Sequence, residues 1–179
     1  MLETISISLI LLSLSSSWFW SENTNPLVHP TLVELKDRSA RRYEAIEAGD
    51  AVGYMDGVDK NIHFVVFWDT KVWLTSNGLD DYTEWALAHI HFLEDADLDE
   101  KHVIDPSAVY TLLPDGSVRI DLKFNYYRRP SQEKSGPWKW LFNGEIQCYW
   151  RLETMNWSMY KYIVTVEEVH EDFMNYKPK

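Results

Sequence analysis

Val118-Arg119-Ile120-Asp121-Leu122-Lys123-Phe124-Asn125-Tyr126 alternates apolar and polar side chains without a break. A two-residue period of that length is a β-strand with one face packed and the other wet. The period recurs downstream. Ile146, Cys148, Trp150 and Leu152 alternate with Gln147, Tyr149, Arg151 and Glu153, and Tyr160, Tyr162, Val164 and Val166 with Lys161, Thr165 and Glu167. Pro114-Asp115-Gly116 supplies a hairpin turn ahead of the first of these strands. From Lys101 to His170 the chain therefore reads as a run of long strands forming a half-covered sheet.

The cover must come from upstream, where the period changes to that of a helix. Pro30 suits a first helical position, and Leu32, Leu35, Ser39, Tyr43 and Ile46 make one stripe, with Glu34, Lys36, Asp37, Arg41 and Arg42 on the other face. Ala48-Gly49-Asp50 ends that helix, and Asp50 caps a short second one running to about Gly57. Ile62 to Trp68 and Lys71 to Thr75, joined by Asp69-Thr70, read as a tight hairpin forming a lip beside the main sheet. Leu79, Thr83, Ala86, Ile90 and Leu93 then share a helical stripe whose first turn holds Asp80 and Asp81, and the acidic stretch Glu94 to Glu100 reads as a solvated loop. The expected class is α+β: a curved antiparallel sheet packed by N-terminal helices, cone-shaped, with a pocket inside.

With 179 residues, 45% hydrophobic and 15% aromatic, the chain can bury one sizeable core. Its 17 Lys and Arg against 28 Asp and Glu give a net charge of −11, which repels phosphate backbones and anionic lipid, so neither nucleic acid nor a membrane surface is an expected partner. Ile5 to Leu14 is an apolar run diluted by Ser and followed by Ser15, Ser16 and Ser17, the pattern of a secretory leader, although Glu3 stands where Lys or Arg is usual. The expected organisation is a leader over 1–17, a tail over 18–30, a domain over 31–170 and a C-terminal tail over 171–179. A secreted location agrees with the sequon Asn156-Trp157-Ser158, placed between the last two strands. The single Cys148 has no internal disulfide partner and reads as a buried apolar residue.

Helix, Ala-Gly-Asp turn, short helix, hairpin, helix and four long strands together resemble the nuclear transport factor 2-like superfamily over Thr31 to Val169. The most sequence-like piece is Arg42-Tyr43-Glu44-Ala45-Ile46-Glu47-Ala48-Gly49-Asp50, which is similar to the end of the first helix in many members. The resemblance implies an α+β cone, in a superfamily that includes isomerases, cyclases, dehydratases, transport factors and non-catalytic domains. Of the isomerase residues, the helical Tyr is matched one position away by Tyr43, the strand base falls at Val66, and the second acid near Gln147. Two of three roles are empty, which argues against isomerase chemistry.

The remaining candidates for acid–base work are Tyr43, Asp56 and His63, with Asp59 beside them. Expected pocket or binding residues are Trp85, Phe124, Trp150 and Tyr162. His89 and His91, two apart on a helix, point away from each other, and no metal or other cofactor is expected. Trp138, Trp140, Phe142, Tyr149, Trp150, Trp157, Tyr160 and Tyr162 crowd the last strands, which suggests a pocket lining or a sheet face for a second copy or a protein. Two functions follow: a secreted, non-catalytic domain holding an apolar molecule or pairing through its sheet, and a small lyase, isomerase or cyclase.

Overall fold

The computed structural model describes residues 30–153 and 156–171. The leader, nearly all of the expected 18–30 tail, and the C-terminal tail beyond 171 lie outside the described residues. Helix α1 (Pro30–Glu47) ends at Gly49, whose φ of 72° is the left-handed geometry of a helix stop. Asp50 then caps α2 (Ala51–Tyr54) by accepting from the Gly53 N–H at 2.9 Å. Strands β1 (Val58–Trp68) and β2 (Lys71–Asn77) follow, then α3 (Leu79–Asp95), β3 (Leu98–Leu112), β4 (Val118–Pro130), β5 (Lys139–Glu153) and β6 (Asn156–Val169). Among the described residues no helix is long and apolar enough to cross a membrane.

All six strands form one curved sheet in the order β2-β1-β6-β5-β4-β3. Four pairings are antiparallel, as the alternation predicts, and the fifth is not: β1 runs parallel to β6, with Phe64 opposite Tyr162 and Val66 opposite Val164. The hairpin is thus no separate lip but one edge of the main sheet. Its turn residues Asp69 and Thr70 have φ of 49° and 62°, the doubly left-handed turn that matches strand twist.

The helices cover the inner face, and Leu35, Ile62, Tyr82, Ile120, Ile146 and Trp150 among others are lost to solvent in the core between them. Leu32, Leu35, Ser39, Tyr43 and Ile46 are all buried as the stripe predicts. Arg42, expected on the wet face, is also buried. It lies three residues after Ser39 and four before Ile46, on the stripe itself. Register differs once in β6. Trp150 pairs with Met159 and Tyr149 with Lys161, so Tyr160 is the extra residue of a bulge and Met159 takes the inward place expected of it. A second bulge lies at Asn143/Gly144, where a Cβ on Gly144 would stand 2.1 Å from the Thr165 carbonyl oxygen and 3.1 Å from the Phe124 ring. The acidic stretch Glu94 to Glu100 is not a solvated loop: α3 runs to Asp95, β3 begins at Leu98, and Glu100 points inward, buried.

Candidate ligand-binding site

The helices do not fill the concave face. A cavity of about 170 Å³ remains, bounded by Tyr43 and Ile46 of α1, Tyr54 of α2, and Trp85 and His89 of α3. Its sheet wall comes from alternate residues of neighbouring strands: Phe64, Val66 and Trp68 on β1, Phe124, Tyr126 and Arg128 on β4, and Tyr162, Val164 and Val166 on β6. His102 on β3 and Phe142 on β5 complete it, and Trp73 on edge strand β2, 66% exposed, packs on Trp68 with ring centroids 6.1 Å apart at the opening.

Of the expected pocket residues, Trp85, Phe124 and Tyr162 are in the wall. Trp150 is not. It lies deeper in the core against Gly57, and its Nε1 has no hydrogen-bond partner among the described residues. Of the three acid–base candidates, only Tyr43 reaches the cavity, where its hydroxyl is hydrogen-bonded to that of Tyr162. Asp56 is exposed after α2. His63 sits on the opposite face of β1 from Ile62 and Phe64, its Nδ1 2.7 Å from Asn77 Oδ1. Asp59 is buried by an ion pair to Arg151, Nη2 to Oδ2 2.6 Å.

Two polar clusters border the cavity that the sequence reading did not assemble. The first centres on Glu100, whose side chain has no exposed surface. Its Oε2 meets His89 Nε2 at 2.8 Å and accepts from the Tyr126 hydroxyl at 2.7 Å, and Arg128 Nε donates to that hydroxyl at 2.6 Å. Burial by itself pushes the Glu100 carboxyl up, but the His89 hydrogen bond and charge, the His102 charge and the Tyr126 hydrogen bond outweigh it and bring the pKa down to about 2. An ionised carboxylate only accepts, so His89 carries its proton on Nε2, and its Nδ1 has no partner among the described residues. Trp85 stacks on the His89 ring at 5.6 Å and 16°, fixing its plane. His102 is anchored likewise, with Nδ1 3.2 Å from Glu47 Oε1.

The second cluster is aromatic around a cation. Arg42 Nη2 donates to the Tyr82 hydroxyl at 2.7 Å, which donates to the Tyr54 hydroxyl at 2.7 Å. Burial raises Tyr43, Tyr54, Tyr82 and Tyr162, so all four keep their phenolic protons at neutral pH. Among the described residues no group of three or more His, Cys, Asp or Glu is placed to hold a metal ion.

Neither a family model nor a curated protein matches this chain. Solved structures do match it. A protein of Novosphingobium aromaticivorans, described as nuclear transport factor 2-like with a cystatin-like fold, aligns over 98% of this chain and 97% of its own, with a TM-score of 0.61 and 13% identity. The chain has the nuclear transport factor 2-like fold. Aln2 from a Streptomyces species shares that fold over 86% of this chain and 98% of its own (TM-score 0.62, 12% identity), and ActVI-ORFA from Streptomyces coelicolor over 78% and 97% (TM-score 0.65, 11% identity). At these identities the likeness is one of nuclear transport factor 2-like architecture, and the site has to be read from its own residues.

Proposed function

We propose that this domain binds a small, mainly apolar molecule inside its cone. The observation that carries the reading is the aromatic-walled cavity of about 170 Å³ between the helices and the concave sheet face. Protein cores pack nearly as tightly as organic crystals, so an opening of this size in a core this rich in aromatic residues is a built feature. An apolar cavity of about 150 Å³ takes up benzene, which sets the scale of the occupant at one ring. Toluene and nitrobenzene are the probes. Thermal unfolding should shift upward with probe concentration, the stabilisation reaching about 2.7 kcal/mol at a hundredfold excess over Kd. Val164→Phe, which fills the wall, should remove the shift, and an unmoved Tm with both probes would end this reading.

His89 supports a second reading, a small acid–base enzyme. An imidazole fixed by a buried carboxylate at a cavity wall, with its other nitrogen unengaged, has the arrangement of a general base and its orienting group. Deuterium exchange into the methyl group of acetophenone, followed by NMR, tests it. Exchange above the buffer rate that is lost in His89→Ala supports the enzyme, and exchange at the buffer rate sets it aside.

We also propose that the protein is secreted and glycosylated. Asn156 is exposed at the first residue of β6, where a glycan would be tolerated, and the mass lost to a glycosidase after secretory expression tests it. Pairing of two copies through the outer sheet face is also proposed. There Tyr149 and Tyr160 meet at 6.2 Å with Arg151 and Lys161 over their rings, and sedimentation measures it.

A further inference from the structure

Among the described residues Arg42 is the buried charge without a counter-charge. It is 4% exposed. Among the described residues it meets the Tyr82 hydroxyl, the Met159 sulfur at 3.7 Å, and the rings of Tyr54, Tyr162 and Tyr82 at 4.6, 5.6 and 5.7 Å from Cζ. None of these is an anion. The neighbours that could ionise do not: burial pushes the Cys148 thiol up to about 11 and holds all four tyrosines protonated. The carboxylates behind the cavity's two histidines, Glu100 and Glu47, are engaged by His89 and His102 and leave Arg42 uncompensated. A buried cation without a counter-charge is costly, and natural proteins answer such a charge with a partner.

Hydrogen-bond accounting points the same way. Arg42 donates to Tyr82 and Tyr82 to Tyr54, so the Tyr54 hydroxyl hydrogen at the end of that chain has no acceptor among the described residues. Tyr43 and Tyr162 share one hydrogen bond between two hydroxyls, which leaves a second hydrogen unused. Tyr43, Tyr54 and Tyr162 all line the cavity. This end of the cone therefore offers two hydroxyl donors and a positive charge behind them, and the described residues supply nothing to receive either.

From this arrangement we infer that the cone selects an anion: a one-ring aromatic carboxylate whose oxygens accept from Tyr54 and from the Tyr43–Tyr162 pair, with Arg42 behind them as the counter-charge. The inference rests on the cavity reading and adds the chemical class of the occupant. Arg42 does not line the cavity and acts through the tyrosines, which makes it a positioning residue. The ring of the ligand would pack among Phe64, Trp85 and Phe124, and its carboxylate would complete the hydrogen bonds that the two donors lack.

Benzoate and nitrobenzene test it, since they share a shape and differ in charge. By calorimetry at neutral pH, benzoate should bind about ten- to a hundredfold more tightly, the range expected for hydrogen bonds to a charged group. Arg42→Met should bring the ratio of the two affinities to within about twofold, and Arg42→Lys, which keeps the charge, should restore most of the preference. Met removes the desolvation penalty of the unpaired cation while keeping a side chain of similar length. Should Arg42→Met fail to fold, Tyr54→Phe removes one donor with the ring intact and should narrow the same ratio. Equal binding of the two probes, or a ratio that none of these variants moves, overturns the inference and leaves the apolar cavity standing. Binding of neither probe overturns both.

Discussion

Glu100 makes the acid limb of stability readable at one side chain. Its folded pKa near 2 lies below the 4.5 of the unfolded chain, so the folded state holds this proton less tightly. Its contribution is therefore complete above about pH 4.5 and is lost as the pH falls from 4.5 toward 2. Unfolding measured across that window should show a loss of roughly 3 kcal/mol from this group. Glu100→Gln should be less stable by about 3 kcal/mol at pH 7, with the gap closing by the bottom of the window, because one partner of a buried pair has been removed. Cys148 predicts a kinetic result. Its thiol is buried and pushed up to about 11, so thiolate is scarce and shielded, and labelling by a thiol reagent should be silent in the native protein and appear only with unfolding. The buried Cys148 was legible from its place in an alternating strand. Glu100 was not, because five acidic or small neighbours, Glu94 to Asp97 and Asp99, made its segment look solvated, and the groups that hold it, His89 and Tyr126, arrive from α3 and β4. Arg42 could have been found on the first helix, since its position falls inside the stripe of Leu35, Ser39 and Ile46. Its charge, and not its spacing, put it on the wrong face.

Among the elements, β5 carries the sharpest constraint. At Gly144 any side chain would meet the backbone carbonyl of Thr165 across the bulge, so the two strands themselves would have to part. Gly144→Ala should lower the urea midpoint by the equivalent of about 1–3 kcal/mol, the usual cost of overpacking, and should weaken probe binding as Phe124 shifts in the cavity wall. Helix α2 is only four residues long and depends on its cap, so Asp50→Ala should cost about 1 kcal/mol in the same assay. The strands and the two long helices were legible because apolar period is a local property. The start of β1 was not. Val58 to Asn61 is polar apart from its first residue, and it enters the sheet because Arg151 on β5 neutralises Asp59 and Val58 pairs with Met159 of β6. The bulge at Tyr160 was hidden for a related reason: a slip of one residue leaves the local alternation looking intact.

For the whole molecule, the order of elements pointed to a cone, and the solved structures that share its fold agree. What the order could not reveal is which strands meet when their partners are far apart in the chain, because parallel neighbours leave no local signature. The pairing of β1 with β6 has a consequence for how the protein is made. A chain emerging from the ribosome completes the helices and the β1–β2 hairpin long before the strand that must lie beside β1 exists. Until β6 is synthesised, β1 keeps an open, apolar edge bearing Phe64 and Val66, and β5 keeps another. A chain ended after Glu153 should accordingly give no cooperative unfolding transition and should aggregate, whereas the full chain should fold in one late, concerted step set by a contact of high sequence separation. Of the six described strands the last in the chain is the one that joins the two halves of the sheet, so both halves wait with unpaired edges through most of the domain's synthesis.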